Sequence, residues 1–133
     1  MGGRSLGVAT SQSCAEIVTL DYIATTVTQP MFVAAYPCIC TGITGRQRVN
    51  GGSGAQMTFY KCASGVAAAN GVLLHSGIFD ASTGGTADAN QFLTLVTDQT
   101  KLTFAPGDAL MVLVAGTMTA AVGMVQAVLE PLT

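Results

Sequence analysis

The chain has 133 residues, enough for one domain that buries roughly two-thirds of its unfolded surface. Charged residues are only 9% of it, against about 25% in an ordinary soluble domain, and the formal net charge is −2. Its five basic residues, Arg4, Arg46, Arg48, Lys61 and Lys101, form no stripe able to neutralise a phosphate backbone, so nucleic acid is not expected as a partner.

So little charge leaves two ways to finish a surface. Thr, Ser, Gln, Asn and Gly can coat it, or much of it can be buried in an assembly, which tolerates uncharged apolar patches. The second reading is preferred. The opening residues, Met1-Gly2-Gly3-Arg4-Ser5-Leu6-Gly7, have no continuous apolar core, so no signal peptide is expected. Residues 1–13 read as a flexible arm that orders only against a neighbour, and residues 14–133 as a single β-sandwich domain. The chain carries no Asn-x-Ser/Thr acceptor, which fits a protein not secreted through a eukaryotic pathway.

Eight strands follow in order. The first spans about residues 16–27, with Val18, Leu20, Tyr22 and Ala24 on one face and Thr19, Asp21 and Thr25 on the other. Gln29-Pro30 breaks it. The second, residues 31–43, is apolar on both faces, and Pro37 inside it signals a bulge or an edge. The Gly-rich loop of residues 45–54 leads to a third strand at 57–63, where Met57 and Phe59 oppose Thr58 and Tyr60. Val66-Ala67-Ala68-Ala69 is at most one helical turn, and Asn70-Gly71 can turn tightly into a fourth strand at 72–80. A loop at 82–90 precedes the fifth strand, 91–97, and a short sixth, 101–104. Pro106-Gly107 suits the centre of a type II turn. The seventh and eighth strands are expected at 109–115 and 124–130.

The segment 109–129 is uncharged over 21 residues, long enough to span a bilayer as a helix. Gly116, Thr117, Thr119 and Gly123 interrupt it and Val recurs at strand-like spacing, so two buried strands are expected and no membrane association. No internal repeat is visible. The fold class is therefore all-β, an eight-stranded two-sheet sandwich, jelly-roll-like; an immunoglobulin-like sandwich is the runner-up, without its usual Trp.

Two stretches resemble a known group. Gly71 to Asp80 followed by Gly85-Thr86-Ala87-Asp88-Ala89-Asn90-Gln91 is one. Phe104-Ala105-Pro106-Gly107-Asp108-Ala109-Leu110 with Ala115 to Gly123 is the other. Together they resemble tailed-phage head decoration or cement proteins, small jelly-roll virion proteins, over residues 70–129; the first half of the chain matches only in style. The Pro-Gly-Asp turn before an apolar strand also recurs in trimeric jelly rolls similar to the C1q and tumour-necrosis-factor class. The cysteines and the doubly apolar second strand depart from the pattern. The resemblance implies a protein made in the host bacterial cytoplasm and carried on the capsid exterior, a homotrimer whose partners are sister subunits and the major capsid protein of the phage head.

Chemistry is scarce. Cys38 and Cys40 lie two apart on one strand face, awkward for a disulfide, and with Cys14 and Cys62 are expected as free buried thiols. With one histidine and no second cysteine pair, no metal is expected. His75 is expected to be semi-exposed or at an interface, and Ser76 points away from it. No Gly-x-Ser-x-Gly elbow and no Gly-x-x-x-x-Gly-Lys loop occurs. Asp80, Asp88, Asp98 and Asn90 read as turn formers before they read as calcium ligands, and Asp108 as closing its own turn. The expectation is a virion structural protein without catalysis or cofactor. Its candidate contact residues are Arg4, Phe32, Tyr36, Arg46 and Arg48. The alternative is a fibre, spike or tail module, possibly glycan-binding, for which a chain with no Trp and 6% aromatics is poorly equipped.

Overall fold

Alternating side chains and glycine-marked turns fold the chain into ten strands, in a computed structural model that describes residues 15–84 and 86–132. The expected arm, with Arg4, and Cys14 lie outside the described residues. The strands are β1 (Glu16–Tyr22), β2 (Gln29–Val33), β3 (Cys38–Val49), β4 (Gln56–Cys62), β5 (Val72–Leu73), β6 (Phe79–Asp80), β7 (Asn90–Phe92), β8 (Thr103–Phe104), β9 (Ala109–Ala115) and β10 (Val122–Pro131). A single helical turn, α1 (Gln99–Leu102), leads into β8, and a 3-10 turn covers Ala68–Asn70.

These strands make two five-stranded antiparallel sheets. Sheet I runs β1-β10-β3, with β7 and β8 both on the far edge of β3; sheet II runs β2-β9-β4, with β5 and β6 both on β4. Counting β5 with β6, and β7 with β8, as one interrupted strand each leaves eight strands in the orders 1-8-3-6 and 2-7-4-5. The sheets face each other loosely, in the manner of a sandwich. Between them lie Tyr22, Ile43, Val125, Ala127 and Leu129 from sheet I and Met57, Phe59, Phe79, Leu110 and Val112 from sheet II, all essentially inaccessible. Two glycines allow close approach, Gly45 between the layers and Gly116 at the ends of the paired β4 and β9. A Cβ on Gly45 would sit 2.5 Å from the Phe79 ring, and Gly116, at φ +76, would drive one to 2.0 Å from the Gly54 carbonyl.

One side of the sandwich is stitched. His75 and Leu95 form an antiparallel bridge between the segments that interrupt the two broken strands. Ser76 N–H donates to the Thr94 carbonyl at 2.9 Å and Val96 N–H to that of Leu74 at 3.0 Å. Farther along, the Gln91 amide substitutes for a strand. Its Oε1 accepts from Asp80 N–H and its Nε2 donates to the Asp80 carbonyl, both at 2.8 Å, tying β7 of sheet I to β6 of sheet II.

The sequence-based expectations for the third, seventh and eighth strands match β4, β9 and β10 to within a few residues. The others need correction. The first strand ends at Tyr22, because Ile23 N–H donates to Thr26 Oγ1 at 2.8 Å while Thr26 N–H returns to the Ile23 carbonyl, closing a turn. The expected second strand is two: β2 and β3 belong to different sheets, and the chain crosses between them at Ala34–Pro37. Residues 101–102 are helical, because Asp98 Oδ1 accepts from Thr100 N–H at 3.0 Å and nucleates the turn. Gly71 is extended, so the turn before β5 is the 3-10 turn and not Asn70-Gly71. Gly107, at φ +94, does sit in the turn expected for it, with Asp108 Oδ2 accepting from Ala105 N–H at 2.9 Å. The uncharged 109–129 segment is β9 of sheet II, the loop that crosses between the sheets, and most of β10 of sheet I, and no helix among the described residues is long and apolar enough to cross a membrane.

Candidate functional site

The histidine and the described cysteines are held inside. His75 is 1% exposed, which corrects the expectation of a semi-exposed or interface residue. Strand alternation does not reach it, because the chain leaves the sheet between β5 and β6 and buries Leu74 and His75 in succession. Its Nε2 accepts from Phe59 N–H at 3.0 Å and its Nδ1–H donates to the Ser76 carbonyl at 2.9 Å, so the ring is neutral and fully used. Burial lowers its pKa below the ordinary imidazole value. Cys38, Cys40 and Cys62 are buried thiols. Burial raises all three, Cys40 to about 11, so thiolate chemistry is suppressed.

The acidic residues behave as turn formers. Asp80 Oδ1 accepts from Ser82 N–H at 2.9 Å and from Ser82 Oγ–H at 2.6 Å, and Asp98 caps α1. Asp88, at φ +61, lies 3.9 Å from Arg46 in an exposed ion pair, a contact worth about 0–1 kcal/mol. Among the described residues no cluster of three His, Cys, Asp or Glu side chains could hold a metal ion.

What remains is the two outer sheet faces. On sheet I the register aligns Asp21, Met124, Arg46 and Asn90 in one row and Thr19, Gln126, Thr44 and Phe92 in the next. A third row, Ile17, Val128 and Gly42, is apolar. Two adjoining hollows of about 360 and 390 Å³ lie over the polar rows and share Arg46 and Met124. The first also takes in Arg48 and Asp88. Phe92, on the short edge strand β7, is 74% exposed.

On sheet II the outward rows are Pro30, Met111, Tyr60 and Leu73, with Leu113 beside Thr58 and Val33 beside Ala109. The strands of this sheet carry two charged residues, and both are turned to the chain's own groups. Lys61 Nζ donates to the Thr100 and Thr103 carbonyls, each at 2.9 Å, and Asp80 holds Ser82. Val33, Leu73 and the neighbouring Ile78 are open to solvent.

The contact residues expected from sequence scatter over this frame. Arg46 and Arg48 come together in the 360 Å³ hollow of sheet I. Phe32, opposite Leu110 on β2, packs against the core. Tyr36 is exposed beyond β2, and its hydroxyl donates to Glu16 Oε1 at 3.1 Å, which raises its pKa. Arg4 lies outside the described residues. Sequence reasoning missed Phe92, Met111 and Leu113. The signal for the last two was present, since Ala109-Leu-Met-Val-Leu-Val-Ala115 is apolar at consecutive positions, the pattern of a strand covered on both faces.

No known protein family and no curated protein matches the sequence. Among solved structures the chain is similar to one from the capsid asymmetric unit of cyanophage Pam1, at 14% identity over 99% of this chain and 94% of that one, with a TM-score of 0.46. It is also similar to a chain from the disulfide-linked pili of Bacillus endospore appendages, at 16% identity over 90% and 88%, with a TM-score of 0.36. At these TM-scores neither likeness carries an argument about function, which has to come from the molecule's own surfaces.

Proposed function

We propose that this chain is a virion structural protein of the decoration or cement class, a jelly roll that binds the outside of a phage head as a homotrimer and performs no catalysis. The observation that carries the reading is the outer face of sheet II, whose central strand β9 is apolar on both sides and whose two charges are turned to the chain's own groups. Apolar patches of this kind are uncommon on free monomers and ordinary where subunits meet. The strand order 1-8-3-6 and 2-7-4-5 supports the jelly-roll assignment. The resemblance of residues 70–129 to head decoration proteins supports the phage assignment. The buried, fully bonded histidine and the suppressed thiols fit a role without chemistry.

The work is adhesion. Copies of the sheet II face bury their apolar side chains against sister subunits and the major capsid protein, and a ligand that binds only the assembled shell stabilises it by mass action. The test is the mass of the full chain in solution, alone and after mixing with undecorated phage heads. A trimer that pellets with heads and raises their disruption temperature is expected. A monomer that stays in the supernatant would overturn the reading.

A further inference from the structure

We propose that the outer face of sheet I is a binding site for an uncharged sugar chain, with the Phe92 ring as its platform. This site lies on the sheet opposite the apolar face and does not depend on the capsid reading. The two hollows that share Arg46 and Met124 form one continuous trough across β1, β10, β3 and β7. Neighbouring strands set side chains about 4.8 Å apart, so Asp21, Met124, Arg46 and Asn90 in one row and Gln126, Thr44 and Phe92 in the next line the trough with donors and acceptors set among apolar side chains. Thr19, Asp21, Thr44, Asn90 and Gln126 make no side-chain hydrogen bond among the described residues.

Charge and chemistry select the occupant. Asp21 and Asp88 balance Arg46 and Arg48 around the trough, so an anionic or cationic ligand meets as much repulsion as attraction. A flat apolar protein surface would bury the polar rows without partners, at a cost for every group left unpaired. A sugar ring avoids both penalties. Its hydroxyls donate and accept at once, matching a mixed lining, and its C–H face packs on an aromatic ring. Phe92 is the most exposed large apolar side chain among the described residues and stands beside Thr44 at the trough's edge. Its ring area is therefore free for that contact.

The experiment is affinity electrophoresis of the full chain through gels holding mannan, dextran or galactan, with heparin as the anionic control. Retardation by at least one neutral polysaccharide, insensitive to salt, is expected. Phe92→Ala, a change at an open surface that leaves the core untouched, should weaken it about tenfold, and Asn90→Ala less. Passage unretarded through every neutral gel overturns the proposal. So does retardation that Phe92→Ala leaves unchanged, and so does retardation by heparin alone that salt abolishes. Pelleting of Phe92→Ala with phage heads reads the capsid proposal separately, since that binding uses the other sheet.

Discussion

The outer faces of the two sheets cover the same core and are built for different neighbours. Sheet I turns Thr19, Asp21, Thr44, Arg46 and Gln126 outward, beside an apolar row of Ile17 and Val128 and the open Phe92 ring. On sheet II the central strand β9 does not alternate in polarity: Leu110 and Val112 face in while Met111 and Leu113 face out, although its neighbour β4 turns Thr58 and Tyr60 outward. Solvent tolerates the polar rows of the first at no cost. The second leaves apolar area in water unless something covers it, at about 25 cal/mol per Å². A low charge content spread evenly would have meant only a polar coat of Thr and Gly. Segregated by face, it gives one side of the molecule polar rows that suit water and the other a central strand that the proposed function covers.

The largest way to break this comparison is to charge the outer face of sheet II. Leu113→Glu puts a carboxylate in the centre of the sheet II face, on a half-exposed position outside the core. Association with phage heads should be lost outright, while denaturant stability of the free protein changes by no more than about 1 kcal/mol. Gln126→Glu adds the same charge to sheet I and should leave pelleting unchanged. If both variants pellet normally, capsid binding does not use the sheet II face.

Next in size is the seam that holds the two faces back to back. His75→Leu strips partners from the buried Phe59 N–H and the Ser76 carbonyl, and should cost about 2–4 kcal/mol in urea unfolding. The same residue gives the seam a pH dependence. Its folded pKa is depressed by burial, so the unfolded chain takes up the proton first. The contribution is therefore full above the ordinary imidazole value of 6.5 and is lost progressively as pH falls below it. Comparing the stability of wild type and His75→Leu across this window isolates the effect, because the variant lacks that component. A parallel pair of curves would mean the ring is not buried neutral.

A smaller effect belongs to the other stitch. Gln91→Ala removes both bonds to the Asp80 backbone, and about 1–2 kcal/mol should go with them. Hydrogen exchange should then quicken at Asp80 N–H, which loses its acceptor, with β9 and β10 unaffected. Faster exchange throughout both sheets would indicate that the seam is needed for the whole fold.

Much of this was legible in the residues and some was not, for physical reasons. β4 and β9 were plain because regular pairing along their whole length keeps side chains at period two. Residues 72–80 and 91–104 misled, because there regular pairing gives way to side-chain stitches, and a bond such as Gln91 to Asp80 leaves no periodic trace. The split of the second strand was foreshadowed by Pro37, which sits where the chain crosses between sheets. Arg46 and Arg48 could be proposed as contacts because charge is rare here. Phe92 could not, since a single aromatic in an apolar run looks like core until its strand proves to be a short edge. Leu113 was missed for the opposite reason: uniform apolarity announces cover on both faces without saying what provides the second.

The smallest predicted effect probes the inner side of sheet I. Tyr22, Gly123 and Gln47 share one row facing the core, and Gly123 has no side chain because a Cβ there would lie 2.4 Å from the Tyr22 hydroxyl. Tyr22 Oη and Gln47 Oε1 are both buried without a hydrogen-bond partner, and burial pushes the phenol to about 12. A hydroxyl taken from water and left unbonded contributes nothing favourable. Tyr22→Phe keeps the ring and its edge-on contact with Phe79, at 5.9 Å and 77°, and deletes only that oxygen. Unfolding stability should stay level or rise by up to about 1 kcal/mol, against a loss of about 3–5 kcal/mol for Tyr22→Ala, which empties the ring's space. A loss of more than about 1 kcal/mol in Tyr22→Phe would show instead that the hydroxyl is bonded in solution. Its complement would then be the Gln47 oxygen in the same row, and Gly123 would be small in order to let a donor and an acceptor meet beneath the sheet.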